Sequence, residues 1–168
     1  MLWIAGVTAA VLLLVQAILD LYLQSKGSGI LPFEFAGTTA RAEEIVNGWG
    51  GSVTTARVQL IIDYPCFTSM AIFVSLALIA VADGLTANPR LARWAVWLAW
   101  LPLLAAVADA IEDAAMLAMA GGTTGQPVPA FGLAAASVKT LSGWSAGLFL
   151  LGALFARHRM RRAEVTAQ

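Results

Sequence analysis

A chain of 168 residues that is 60% hydrophobic and only 12% charged lies far outside the composition of a soluble domain of its size, and reads as an integral membrane protein. Its ten basic and ten acidic side chains cancel, and no stretch interleaves basic with aromatic residues, which excludes nucleic acid as a partner. The single cysteine, Cys66, excludes an internal disulfide and any Cys-based metal site.

Four apolar stretches can each cross about 30 Å of hydrocarbon at about 1.5 Å per residue. They run over residues 2–23, 58–82, 91–119 and 130–156. The expected fold is therefore all-α. It is a four-transmembrane-helix bundle forming one integral membrane domain over 1–168, with a short interfacial helix in the first extracytoplasmic loop. The first stretch has no basic leader and no small-residue cleavage site after it, so it is expected to be retained as a helix rather than removed as a signal peptide. Gln16 and Asp20 lie one turn apart and give it a polar edge.

Residues 25–57 form the one long loop. A Gly/Ser-rich hinge leads into the aromatic strip Leu31-Pro32-Phe33-Glu34-Phe35, and Thr38 or Thr39 then caps a helix expected to run to Asn47 and stop at Gly48. Ala42, Ile45, Val46 and Trp49 give that helix one apolar side, so segment 31–50 is expected to lie along the membrane surface as a lid or brace. In the second span, Gln59, Asp63 and Cys66 share a face. Pro65 removes a backbone donor beside them and is expected to kink the helix. Cys66 has no histidine within any span to activate it and reads as a small buried residue.

Asn88-Pro89 opens the third span, with Arg90 and Arg93 in its first turn and Trp94, Trp97 and Trp100 as interfacial anchors. Pro102 is expected to bend it. Then comes Asp109-Ala110-Ile111-Glu112-Asp113, where the i, i+3, i+4 spacing sets three carboxylates on one face of a helix. At the centre of a lipid-facing helix each acid would cost about 2.5–3.5 kcal/mol, so the stripe must face protein, water or a ligand. The fourth span holds Lys139, with Gly143 and Gly147 following at one-turn spacing. Lys139 should point into the bundle, and the glycine face should admit another helix closely. Gly143-Trp144-Ser145-Ala146-Gly147 also matches a nucleophile-elbow pattern, but it is mid-helix and has no histidine partner, so helix packing is the better account.

Arg90, Arg93 and the basic tail 157–168 outweigh Lys26, Arg41 and Arg57 on the opposite side. The positive-inside rule then puts both termini in the cytoplasm, with the plasma (inner) membrane as the expected location. Counted from the outer helix ends, Asp109 and Lys139 both lie about 14–15 Å deep, and Glu112 and Asp113 about 9–10 Å. Asp109 and Lys139 should pair. Asp63, Glu112 and Asp113 should line a pocket above them, with Glu34, Arg41 and Arg57 reaching it from the loop.

These eight residues are the expected ligand-binding set, and no catalytic residue is assigned. The function expected is binding of a proton, a cation or a cationic amphiphile in an outward-facing acidic pocket. An alternative is an accessory or structural subunit, docking another membrane subunit or a second copy through the Gly143/Gly147 face. A third is a lipid-modifying enzyme using a divalent cation as cofactor, for which Asp63, Asp109, Glu112 and Asp113 are the possible oxygen ligands. Membrane lipids are partners in every case.

Overall fold

The computed structural model describes residues 2–85 and 88–166. In chain order the helices are α1 (Leu2–Gln24), α2 (Ile30–Glu34), α3 (Thr39–Trp49), α4 (Val53–Ala82), α5 (Pro89–Leu98), α6 (Leu101–Ala120) and α7 (Val128–Thr166), with a 3-10 turn at Gly50–Ser52 between α3 and α4. Four stretches are long and apolar enough to cross a membrane: Leu2–Gln24, Thr39–Ala82, Pro89–Ala120 and Val128–Met160. Of the expected basic tail, the helix carries the backbone to Thr166, while the side chains of residues 161 and 163–166 and the whole of residues 167–168 lie outside what is described.

Helix ends follow local chemistry. The Thr38 hydroxyl accepts from the Arg41 N–H at 3.3 Å and starts α3. Two expectations need correction. Gly48 does not end that helix. It stands exposed inside the last turn, and the stop falls at Gly50, whose φ of +50° is the conformation a glycine cap supplies. The extra turn delivers Trp49 into the core, where it is 2% exposed.

The third expected span is not one bent helix but two, separated at Ala99 and Trp100. Pro102 has no N–H for the carbonyl of Leu98, and its ring crowds that turn. Trp100 N–H closes a tighter turn onto Trp97 O at 3.3 Å, and the buried Ser75 hydroxyl donates to Ala99 O at 2.8 Å. Pro65, by contrast, is accommodated inside a continuous α4, where the Ser69 hydroxyl donates to the Pro65 carbonyl at 2.7 Å.

α4 is the hub, touching α1, α5, α6 and α7, and α6 with α7 form the most extensive pair. Close approach between those two occurs at Gly132, where a Cβ would meet the Ala115 Cβ at 3.5 Å. The glycine face expected to receive a helix is different. Among the described residues nothing lies within 4 Å of a Cβ built on Gly143 or Gly147, so no helix packs closely there.

Successive long helices alternate in direction, and the two ends of the bundle are tied separately. At one end the Thr39 hydroxyl donates to Thr124 O at 2.8 Å and the Thr124 hydroxyl donates to Glu43 at 2.7 Å, joining α3 to the turn before α7. At the other, Val81, Leu85 and Ala153 cluster with Leu91, and Arg157 donates to Ala80 O at 3.4 Å.

Segment 31–50 is packed into the bundle. Phe33 and Trp49 meet edge to face at 4.8 Å between centroids, and with Ile30, Ala42 and Ile45 they bury against Leu23, Leu60, Met116 and Met119. Polarity across α6 runs opposite to that of a water-soluble bundle. Asp109, Glu112 and Asp113 face inward, while Leu103, Leu104, Val107 and Ile111 face out.

Candidate functional site

The acidic stripe of α6 meets α2, α4 and α7 at one place. α2 is the element that brings a fourth helix's acid to it. The Asp20 carboxylate accepts from the first N–H of α2, that of Ile30, at 2.7 Å, and from the Gln24 amide at 2.6 Å. Asp20 is thereby committed to anchoring the turn after α1. Phe33, fully buried against Trp49, fixes the other side of α2, and Glu34 next to it projects toward α7.

Lys139 receives it. Its Nζ lies 2.7 Å from Glu112 Oε2, 3.3 Å from Asp109 Oδ1 and 3.3 Å from Glu34 Oε2, and 5.8 Å from the centre of the Phe67 ring. Lys139 does meet Asp109, as equal depth requires, but Glu112 is its shortest contact. One ammonium thus serves three carboxylates. Glu34 holds its proton to higher pH than an ordinary glutamate, chiefly because it is buried. Lys139 pulls the other way, and the Asp63 charge adds to the rise.

A second grouping adjoins the first. Asp63, Asp109 and Asp113 each contribute a carboxylate oxygen, and these oxygens lie within 4.8 Å of one another. The helix count from the sequence puts Asp63 shallower than Asp109, but the structure brings them to one level. Asp113 is fully buried, and neither of its oxygens has a hydrogen-bond partner. Glu112 Oε1 is likewise without one.

Beside Asp63, α1 and α4 are clasped by two amides. The Gln16 amide donates to Gln59 O at 3.2 Å, and the Gln59 amide donates to Gln16 O at 3.5 Å. Both side-chain carbonyl oxygens are left buried without a donor. Gln16 and Gln59 are additions to the expected set. The signal for Gln59 was its place one turn before Asp63 on the same face.

Two hollows flank the site. A cleft of about 320 Å³ between α1, α2 and α4 is lined by Gln16, Asp20, Glu34, Gln59 and Asp63, and is open at the protein surface. On the far side of Lys139, an apolar groove of about 520 Å³ is lined by Phe67, Val74, Gly143, Trp144 and Gly147. Of the five acids at the site, Asp63 and Glu34 line the open cleft, while Asp109, Glu112 and Asp113 are buried behind them.

Two expected members are elsewhere. Arg41 pairs with Glu44 at 2.6 Å on the exposed face of α3, and Arg57 donates to Ala120 O at 2.5 Å at the end of α6. Arg57 caps a helix C-terminus, where a cation complements the dipole. Its charge is used by the backbone instead of the acids. Cys66 is buried and has no part in the contacts made by Lys139.

No protein-family model, no curated protein and no solved structure matches this chain.

Proposed function

We propose that this is a multi-pass membrane protein that binds a cation in the acidic centre formed by α2, α4, α6 and α7, with the cation entering through the Asp63/Glu34 cleft. In this reading both termini are cytoplasmic, the membrane is the plasma (inner) membrane, and α2 and α3 lie at the outer surface as a lid. One observation carries it: five carboxylates gather at one place, Glu34, Asp109 and Glu112 on a single ammonium and Asp63 and Asp113 beside Asp109, and buried Asp113 has neither oxygen paired. A buried carboxylate without a partner is costly, and a cation entering with a ligand would supply the counter-charge that this surplus of acids lacks.

A hydrophobic carbodiimide tests the reading. It should modify Asp63, Asp109 or Asp113 in the folded protein in detergent. An added cation, whether Na⁺, Mn²⁺ or a small quaternary ammonium, should slow that modification, and mass spectrometry locates the modified residue. Modification that no cation slows, or that begins only on unfolding, would leave the acids as sealed structural pairs.

An accessory-subunit reading is favoured by one separate feature, the apolar groove beside Gly143 and Gly147. A partner bound there should co-purify in mild detergent and be lost from a Gly143→Leu variant.

A further inference from the structure

We propose that Asp63, Asp109 and Asp113, with the side-chain carbonyl of Gln59, form a binding site for one hard divalent cation. The proposal rests on the cation-binding reading above and gives that site its ligand class. The donor set is all oxygen. Among the described residues no histidine or thiolate joins it, and hard ions of the Mg²⁺, Ca²⁺ and Mn²⁺ kind take carboxylate and amide carbonyl oxygens.

Two features beyond the clustering of acids point to an ion. Asp113 is wholly buried with both oxygens unpartnered, although one of them lies within 4.8 Å of oxygens on Asp63 and Asp109. Gln59, 5% exposed, has spent its N–H donor on the Gln16 carbonyl and keeps an unpartnered Oε1. It stands one turn before Asp63 on α4 and lines the same cleft.

Size agrees. Oxygens on opposite sides of Ca²⁺ are about 4.6–5.2 Å apart, twice its bond length, and about 4.0–4.2 Å apart across Mg²⁺. A set whose members all lie within 4.8 Å of one another suits the larger ion directly, and Mg²⁺ after a small contraction. Charge agrees as well. Lys139 is engaged by Glu112 and Glu34, and no lysine or arginine contact is made by Asp63 or Asp113 among the described residues. Asp109 bridges the two groups, touching Lys139 while contributing to the triad.

The test uses the full chain in detergent at about pH 7.5, with Mn²⁺ as the probe, read by electron paramagnetic resonance and equilibrium dialysis. The expected result is one tightly held Mn²⁺ per chain, displaced by Ca²⁺ and raising the thermal midpoint. Asp113→Asn, which keeps the side-chain shape, should weaken Mn²⁺ binding by at least about 10-fold, the low end of what even an outer-shell partner contributes. The same variant should be more stable than the parent without metal but should lose the rise in thermal midpoint that Mn²⁺ gives the parent, a loss that a merely structural Asp113 would not cause. Gln59→Leu, which leaves every acid in place, should weaken binding to a smaller extent.

Absence of Mn²⁺ uptake at about 1 mM, or uptake unchanged in Asp113→Asn, overturns the divalent site. If Mn²⁺ fails while Na⁺ or a quaternary ammonium still slows carbodiimide modification, the acidic centre stands as a cation site and only the divalent class falls. If no cation protects, both proposals fall together.

Discussion

Lys139 is the residue on which the geometry turns, since its one ammonium holds carboxylates from α2 and α6 together. Removing one member of a buried ion pair strands the other, at a typical cost of about 3–5 kcal/mol. Lys139→Met should therefore lower the unfolding free energy by that order, measured by denaturation in detergent. Lys139→Met combined with Glu112→Leu should recover more of the loss than Lys139→Met with Asp109→Leu, because Glu112 is the 2.7 Å partner.

Glu34 sets a pH dependence. Burial raises its pKa above the ordinary 4.5 against the pull of Lys139, with Asp63 and Glu112 also facing it. Between the ordinary and the raised value the folded chain binds more protons at Glu34 than the unfolded chain. This contribution is fully present at low pH and is lost as pH rises through the raised value. Glu34→Gln should flatten that part of a stability-against-pH curve, and an unchanged slope would remove Glu34 from the account. The inward acids of α6 were legible from i, i+3, i+4 spacing, and so was the Lys139–Asp109 contact. The fates of Arg41 and Arg57 were not, because a long side chain at a helix edge takes the nearest acceptor, and sequence does not show which acceptor that is.

Among the elements, α2 and α3 depend on one aromatic contact. Trp49 is 2% exposed, donates its indole N–H to Ser28 O at 2.5 Å and packs on Phe33. Trp49→Ala should cost about 3–5 kcal/mol, as large-to-small aromatic changes in a core do. It should also speed hydrogen exchange across 30–49 ahead of the rest of the chain. Uniform loss of protection would show that the segment has no separate stability. The Thr38 cap and the apolar side of α3 follow from residue types at helical spacing, and both are readable in the chain. The true end of α3 is not, because a glycine two residues earlier looks like the stop until Trp49 is known to be needed inside. The division of α5 from α6 is half legible. Pro102 marks a disturbance, but whether a helix bends or breaks depends on what neighbouring helices offer the backbone there, here the Ser75 hydroxyl of α4 donating to Ala99 O next to the carbonyl that Pro102 frees.

For the whole molecule, an even number of long antiparallel helices puts Leu2 and Thr166 at the same end of the bundle. The bundle sets that parity, and the proposed cytoplasmic side rests on the arginines alone. In a Cys66→Ala background, Thr123→Cys and Arg162→Cys should show opposite accessibility to an impermeant maleimide in intact cells. Thr123 is exposed in the turn before α7, and the neighbouring Gly122 is avoided because its φ of +99° would strain a cysteine. Labelling of both from the same side would reject the topology. The number of long helices and the fold class were legible in the hydropathy along the chain, because an average over about 20 residues is insensitive to packing. Hydropathy gave no arrangement. That α4 sits at the hub and α1 at the edge, touching mainly α4, depends on shape complementarity between faces that are all apolar.

The inward acids of α6 also bear on how the chain enters a bilayer. Each of the three acids opposes insertion by about 2.5–3.5 kcal/mol near the centre of a span, while each Leu, Ile or Val returns only about 0.3–0.6. α6 has too few of the latter to offset them, so as a solitary segment it should stall. The ammonium that pairs with two of these acids, Asp109 and Glu112, arrives about thirty residues later on α7. The two helices are therefore expected to enter together as a hairpin, with Lys139 serving during synthesis as the escort of its own binding partners. A nascent chain halted before Val128 should leave α6 accessible to water-soluble reagents, and one extended through Phe155 should not.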